Sequence, residues 1–378
     1  LLNYWECSFG NNQTIYRESK KRMIKTYSYK IKADNSFIEK FNQWLGTLRF
    51  LYNCALEMKI DAYKRCNKNI SNYTIQKELT ECKKEFDWLN QVHSQTLQAI
   101  LDRLDKTYKS FFRRGYGFPK FASKKKWKSI PFKSCQFKEG NFVLPKWGIV
   151  KVFKDRLPEG EIKTASLIKK ADGYYLHIQV EVPYSNTNES QVGIDMGISY
   201  FLVTSDGLYI NNPEHFKKYE RKLRIENRSL ARKKKFSKQW YKQVKRLQLL
   251  YLKIQRARLD FLHKTSTSLS KQYGVVFMED LNVAGMSKSN LSKHILDCSW
   301  TTFKNLLSYK SRVVLVDAKY TSQKCSNCGY IDKRNRISQS EFVCKNCGSI
   351  FNADFNASLN ILSLGKTLVC EREALACA

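Results

Sequence analysis

At 378 residues the chain is too long for one ordinary domain, and about two to four folded units are expected. Its 67 Lys and Arg stand against 34 Asp and Glu, a formal net charge of +33, and with 13% aromatic residues this surplus points to a phosphate polymer as partner rather than to a merely soluble basic surface or an anionic membrane. No stretch approaches the roughly 18 apolar residues of a membrane span, no secretory apolar segment lies near residue 1, and eight of the twelve cysteines are scattered without paired spacing, which suits a reducing cytosol.

Residues 1–23 are polar and aperiodic and read as a tail. Alternation over Ile24 to Lys32 predicts a half-buried strand. Ser36 and Glu39 have the spacing of a capping box, and Phe37, Phe41, Leu45, Leu48, Leu51 and Ala55 recur behind them at helical intervals. A shorter helix is expected over Thr74 to Trp88, and another from Ser94 that carries Leu97, Ile100, Leu101, Leu104, Tyr108 and Phe111 and stops at Gly115. Residues 35–129 thus form a helical unit. Its exit, Gly115 to Lys128, alternates bases with rings: Lys124, Lys125, Lys126 and Lys128 can neutralise phosphates while Tyr116, Phe118 or Trp127 stack on nucleobases, or the rings are packing anchors and the lysines solvated. From Ile130 to Tyr184 strand patterns return, and with residues 24–34 they are expected to close a small β-barrel, spanning 130–190, into which the helical unit is inserted.

Beyond the polar linker 185–190, Val192-Gly-Ile-Asp-Met-Gly197 reads as a short apolar strand carrying one acid, followed by a hairpin that turns at Asp206-Gly207. A long basic helical stretch spans Pro213 to Tyr273. Within it Leu247, Leu250, Ile254, Ala257 and Phe261 form the seam of an antiparallel hairpin, and Arg232, Lys233, Lys234 and Lys235 lie on a basic face suited to a polyanion. Gly274 to Leu281 is another strand ending in acid, and a helix near Trp300 to Tyr309 precedes the strand Arg312 to Val316.

Two knuckles, Cys325-Ser-Asn-Cys328-Gly329 and Cys344-Lys-Asn-Cys347-Gly348, are separated by residues 329–343. That is the spacing of an all-thiolate tetrahedral zinc site, and it favours one structural Zn2+ over a redox dithiol pair. The five histidines show no ligand spacing. Asp195 and Glu279 sit on short apolar strands, and Asp354 begins a helix expected over Phe355 to Leu364, with a tail at 365–378. Each acid alone reads as a surface residue or a helix cap; three in such surroundings point to a shared cation site.

Gly193-Ile-Asp-Met-Gly197, Met278-Glu-Asp-Leu-Asn-Val283, Asn352-Ala-Asp-Phe-Asn-Ala357 and Tyr320-Thr-Ser-Gln-Lys-Cys-Ser-Asn-Cys-Gly329 resemble the RuvC-like segments and zinc ribbon of the TnpB family, the transposon-encoded OrfB proteins related to type V CRISPR effectors. The resemblance runs from about Thr26 to Leu364. It implies a multidomain α+β and α/β protein: a wedge-like β-barrel (24–34 and 130–190) with an inserted helical recognition domain (35–129), then an RNase H-like (RuvC) nuclease domain (191–320 and 351–364) interrupted by a zinc ribbon (321–350). It further implies that Asp195, Glu279 and Asp354 bind two Mg2+ ions, one activating water and the other stabilising the leaving 3′-oxygen.

The expected partners are a guide RNA from the element's own end and double-stranded target DNA flanked by a short motif, with the protein acting as a monomer or a dimer per RNA. A binding protein or transposition regulator without cleavage, and a DNA-joining transposase, are the alternative functions. One departure stands out: Tyr309 to Tyr320 passes from helix to strand with almost no connection, shorter than the family pattern, which predicts a weaker sheet beside Glu279.

Overall fold

The computed structural model describes residues 23–377 apart from 114–115, 154–155, 184–185, 287 and 289. The expected tail, except Met23, the helix stop at Gly115 and the start of the polar linker therefore lie outside the described residues. The chain divides into two compact units, Leu1–Pro183 and Tyr184–Ala378.

In the first unit, strand β1 (Met23–Lys30) leads into a single 32-residue helix, α1 (Asn35–Cys66). The expected capping box is not used: Asp34 Oδ1 accepts from the Phe37 amide at 2.7 Å and from the Ser36 hydroxyl at 2.9 Å, so the helix is capped two residues earlier than Ser36. Helices α2 (Asn72–Glu85) and α3 (Ser94–Phe112) follow, with a 3-10 turn at Asp87–Gln91 between them. The rest is antiparallel sheet: β2 (Ser129–Phe132), β3 (Gln136–Lys138), β4 (Asn141–Leu144), β5 (Gly148–Val150), β6 (Glu161–Lys170) and β7 (Gly173–Val182).

Two sheets form, ordered β1-β7-β6-β2 and β3-β4-β5, and they are joined by a bridge between Ile31 and Val152. Among the described residues no ladder links β2 to β3. The expected closed barrel is thus an open pair of joined sheets: β2 and β3, the strands at the open seam, are only four and three residues long. Trp44 of α1 fills the core, its ring 5.1 Å from Trp147 and 5.9 Å from Phe132. Burial of such rings, with Phe41, Leu48, Leu97 and Leu104, seats the helices on the strands.

The second unit is built on a five-stranded mixed sheet, ordered β10-β9-β8-β11-β12: β8 (Gln191–Asp195), β9 (Tyr200–Thr204), β10 (Tyr209–Asn211), β11 (Val275–Glu279) and β12 (Arg312–Val316). The first three strands run antiparallel; β8, β11 and β12 are parallel. Between β10 and β11 an antiparallel hairpin of α4 (His215–Ala231) and α5 (Lys238–Gln272) matches the predicted seam, with Leu223 packed on Leu250 and Ile254. Helices α6 (Val283–Met286), α7 (Ser292–Cys298) and α8 (Trp300–Ser308) lead to β12. The short connection before β12 leaves the pairing of that strand complete. Lys310 and Ser311 both donate to the Leu307 carbonyl at 2.8 Å, and all five residues of β12 pair with β11, ending at Glu279 opposite Val316.

The final segment contains the hairpin β13 (Glu341–Val343) and β14 (Ile350–Asn352) and then α9 (Ala353–Cys377). Residues expected as a tail from 365 are therefore helical through Cys377. The parallel strands are covered on both faces, as their apolar runs require: Val276 and Met278 pack with Leu262, Leu269, Phe303 and Leu307, while Phe277, Val314 and Val316 pack with Ile361 of α9. Helix and sheet approach unusually closely. A methyl group on Gly193 would lie 2.3 Å from the Ser358 carbonyl oxygen, and one on Gly365 would lie 2.0 Å from the Phe277 ring.

Candidate metal centres and basic surface

The four cysteines come together. Cys325 Sγ lies 3.8 Å from Cys347 Sγ, Cys328 Sγ lies 3.5 Å from Cys344 Sγ, and all four sulfurs are within 4.8 Å of one another. Tetrahedral coordination at about 2.3 Å per Zn–S bond places sulfurs roughly 3.8 Å apart, so the donor set fits one zinc ion. Both knuckles have the same geometry: Gly329 and Gly348, at φ 77° and 72°, donate to the carbonyls of Cys325 and Cys344 at 2.9 and 3.0 Å. Only glycine adopts that left-handed turn without strain. Hydrogen bonds from the Ser349 hydroxyl and amide pull the Cys347 thiol down to about 6, toward the thiolate a metal needs. Buried Asn335 ties the knuckles together, donating to the Gln323 and Tyr330 carbonyls and accepting from the Lys345 amide.

The three carboxylates also converge on one edge of the sheet. Ile194 pairs with Met278 in the parallel ladder, so Asp195 and Glu279 occupy equivalent positions at the adjoining ends of β8 and β11. Asp354 lies in the first turn of α9, which packs on β8. It is not the helix cap. Asn352 Oδ1 accepts from the Asp354 and Phe355 amides at 3.1 and 3.2 Å, which leaves the Asp354 carboxylate free of that duty. Burial, followed by the charges of Glu279 and then Asp354, pushes Asp195 up to about 8. Burial also raises Glu279 and Asp354, while Arg336 opposes the rise in all three.

Acids that resist ionisation together, with a single guanidinium among them, fit a divalent cation held by oxygen donors.

Several side chains around the acids were not singled out from the sequence. Arg336 Nη2 lies 3.4 Å from Asp354 Oδ1, and the Thr321 hydroxyl donates to Glu279 Oε1 at 2.5 Å. Both come from the ribbon. Asn356 and Asn360, one helical turn apart on α9, donate to the Lys324 carbonyl at 2.8 and 2.7 Å and so clamp the first knuckle to the helix of Asp354. Their signal is legible afterwards: polar residues four apart on an otherwise apolar helix face, both buried. Burial, and then the Asp354 charge, raises the phenol of Tyr209, which stands ring to ring with Tyr200 at 5.2 Å.

The nucleic-acid candidates fall in two places. In the first unit Lys124, Lys125 and Lys126 form an exposed turn and Lys128 is exposed beside it. Trp127 is buried there, 5.1 Å from the Tyr52 ring and capped by the Arg103 guanidinium at 4.5 Å, so it is a packing anchor and not a stacking platform. Tyr116 and Phe118 remain exposed. In the second unit Arg232, Lys233, Lys234 and Lys235 form the turn between α4 and α5. Residues 227–259 contain twelve Lys and Arg and no acid. At that turn Ile225, Arg228, Ser229, Arg232 and Lys233 line an open hollow of about 390 Å³. No helix among the described residues is long and apolar enough to cross a membrane.

Three family models match parts of the chain. A family model described as "Probable transposase" matches residues 175–290, one described as "Cas12f1-like, TNB domain" matches 300–361, and a "Helix-turn-helix domain" model matches 23–68. That last region is β1 followed by one unbroken helix and the start of the next loop, not two helices around a turn. The "Putative RNA-guided DNA endonuclease InsQ" of Escherichia coli K12 is 32% identical, the alignment covering 92% of this chain and 94% of that protein. A "Putative RNA-guided DNA endonuclease" of Streptomyces pristinaespiralis is 28% identical over 91% of this chain and 90% of its own length. The fold is similar to the solved mini-RNA-guided endonuclease CRISPR-Cas_phi3, with a TM-score of 0.50 at 10% identity, over 91% of this chain and 92% of that one.

Proposed function

The chain belongs to the TnpB family of transposon-encoded OrfB proteins, and on that premise we propose that it is a Mg2+-dependent, RNA-guided DNA endonuclease of a mobile element. The observation that carries the reading is the convergence of Asp195, Glu279 and Asp354, from β8, β11 and α9, into one partly buried site where Asp195 feels the charges of both Glu279 and Asp354. In this reading the second unit is an RNase H-like (RuvC) nuclease, supported by a sheet with three antiparallel strands continued by two parallel ones. The ribbon is inserted before the third acid, and the first unit reads the short flanking motif.

The three carboxylates would hold two Mg2+ ions. When bound, such ions activate water and stabilise the leaving 3′-oxygen of a phosphodiester. The chain's own residues do the rest. Gly193 lets α9 seat on β8, which sets the spacing of Asp354 from Asp195. Arg336 offsets the repulsion of the acids. The basic α4–α5 turn and the lysines of 124–128 offer charge to the RNA and DNA backbones. Base pairing supplies sequence recognition, which suits a protein with many phosphate-seeking cations.

The test is direct. Ribonucleoprotein assembled on the RNA that co-purifies with the chain is expected to cut a matched duplex in Mg2+ and not in chelator, and Asp195→Ala is expected to abolish cutting while target binding persists. Undiminished cutting by Asp195→Ala removes the site assignment. Intact binding with no product in Mg2+ or Mn2+ selects the binding-only alternative, and strand-transfer products select the joining one.

A further inference from the structure

Thr321 lies four residues before the first ribbon cysteine and is only 2% exposed, although it carries no metal-binding or nucleophilic motif. Both of its polar groups are engaged across elements. The hydroxyl reaches Glu279 Oε1 at 2.5 Å, with the Ala318 carbonyl a second acceptor at 3.0 Å. The carbonyl accepts from Asn360 Nδ2 at 2.9 Å. Asn360 is itself 3% exposed and donates to the Lys324 carbonyl at 2.7 Å, and Asn356 doubles that link while accepting from the Ser326 amide at 2.9 Å. The strand that carries Glu279 and the helix that carries Asp354 are thus bridged through one buried threonine, whose own segment is anchored by the first cysteine knuckle.

A glutamate has three side-chain torsions and can swing away from a cation that its shorter Asp neighbours still address. With its Oε1 occupied by the Thr321 hydroxyl, Glu279 is held in one orientation and its Oε2 is left for the metal. We propose that Thr321, fixed in turn by Asn360, is a positioning residue for the divalent-cation site: it sets the orientation of Glu279 relative to Asp354. This rests on the reading of Asp195, Glu279 and Asp354 as cation ligands. Partners that orient metal ligands in this way typically cost about 10–100-fold in metal affinity or activity when removed.

The test uses Thr321→Val, which keeps the shape and removes the hydroxyl, and Thr321→Ser, which keeps the hydroxyl. Mn2+ binding to the full-length chain is read by the paramagnetic resonance of free Mn2+, with zinc content and melting temperature measured on the same samples and Asp195→Asn marking the site. We expect Thr321→Val to weaken the Asp195-dependent Mn2+ binding about 10–100-fold, with zinc and melting temperature as in the wild type, and Thr321→Ser to restore wild-type affinity. Wild-type Mn2+ affinity in Thr321→Val overturns the proposal. So does a parallel loss of zinc, melting temperature and Mn2+ affinity that Thr321→Ser does not rescue, since that marks a merely structural role. The absence of any Asp195-dependent Mn2+ binding in the wild type overturns it as well. A chain that binds Mn2+ as expected, responds to Thr321→Val and yet cuts no DNA separates failure of the endonuclease reading from failure of this one.

Discussion

Gly193→Ala tests whether the third acid depends on the contact between helix α9 and strand β8. The added methyl would lie 2.3 Å from the Ser358 carbonyl oxygen, 2.6 Å from the Leu362 nitrogen and 2.8 Å from Leu362 Cβ. Two of these atoms are backbone, so no rotamer change relieves the clash. Against ordinary non-bonded separations of about 3.5 Å, strand and helix have to part by roughly 1 Å. Overpacking of this kind typically costs about 1–3 kcal/mol. Asp195 follows Gly193 by two residues and Asp354 precedes Ser358 by four, so the same displacement separates the two carboxylates.

A misplacement of about 1 Å at reacting groups can lower a rate about 100-fold. Single-turnover cleavage by Gly193→Ala is therefore expected to fall by about that factor, with a lowered melting temperature by calorimetry. Gly46→Ala is the control. It lies within α1 with nothing inside 4 Å of an added methyl, and it should stabilise by roughly 0.5–1 kcal/mol. If Gly193→Ala melts and cuts like the wild type, α9 is not seated on β8 and the carboxylate site is not built as described.

Three further outcomes follow from the same geometry. Cys325→Ser should take bound zinc from one ion per chain to near none by elemental analysis and open residues 321–350 to proteolysis, whereas full zinc with a protected ribbon would show that the four sulfurs do not act as one site. In chelator, burial and the neighbouring acids hold Asp195 up at about 8, so the folded form keeps a proton that the unfolded chain has lost; the contribution of Asp195 to stability is greatest at low pH and falls as pH rises from the ordinary carboxylate range through about 8. The melting temperature should fall between pH 5 and 8, Mg2+ should restore it most at pH 8, and Asp195→Asn should flatten both effects; a flat wild-type profile would refute the coupling. Reversing Lys233, Lys234 and Lys235 to Glu should weaken RNA binding and lower the slope of log affinity against log salt by about 2, at about 0.7 for each lost phosphate contact on single strands; an unchanged slope removes that turn from the RNA interface.

The site was legible in the sequence where chemistry and local spacing coincide. Paired Cys-x-x-Cys-Gly knuckles state a tetrahedral site within a few residues, and an acid ending a short apolar strand is visible because such strands tolerate few charges. Thr321, Asn356 and Asn360 were not legible, since an isolated Thr or Asn carries no sign of the partner it will meet 30 to 42 residues away. The same limit applies to Trp127. Among lysines it looks like a stacking ring, but the decisive neighbours are Tyr52 and Arg103, supplied by two different helices.

Gly365 shows how one residue type can mislead in a physically informative way. It is the first residue of the segment expected as a tail, and a glycine at that place suits a helix end because it relieves the left-handed turn there. The helix instead continues through Cys377, and the missing side chain serves packing: the Phe277 ring occupies the place where a Cβ would stand. Gly193 plays the same part from the strand side of this contact. These two glycines are thus the points at which α9 can lie flat on β8 and β11. That close seating brings Asp354 to the strand ends carrying Asp195 and Glu279, although some 75 residues of chain and a cysteine ribbon intervene between the second acid and the third. The ribbon is accommodated because its first knuckle is clamped by Asn356 and Asn360 on the very helix it precedes, so the insertion fixes the position of the third acid instead of loosening it.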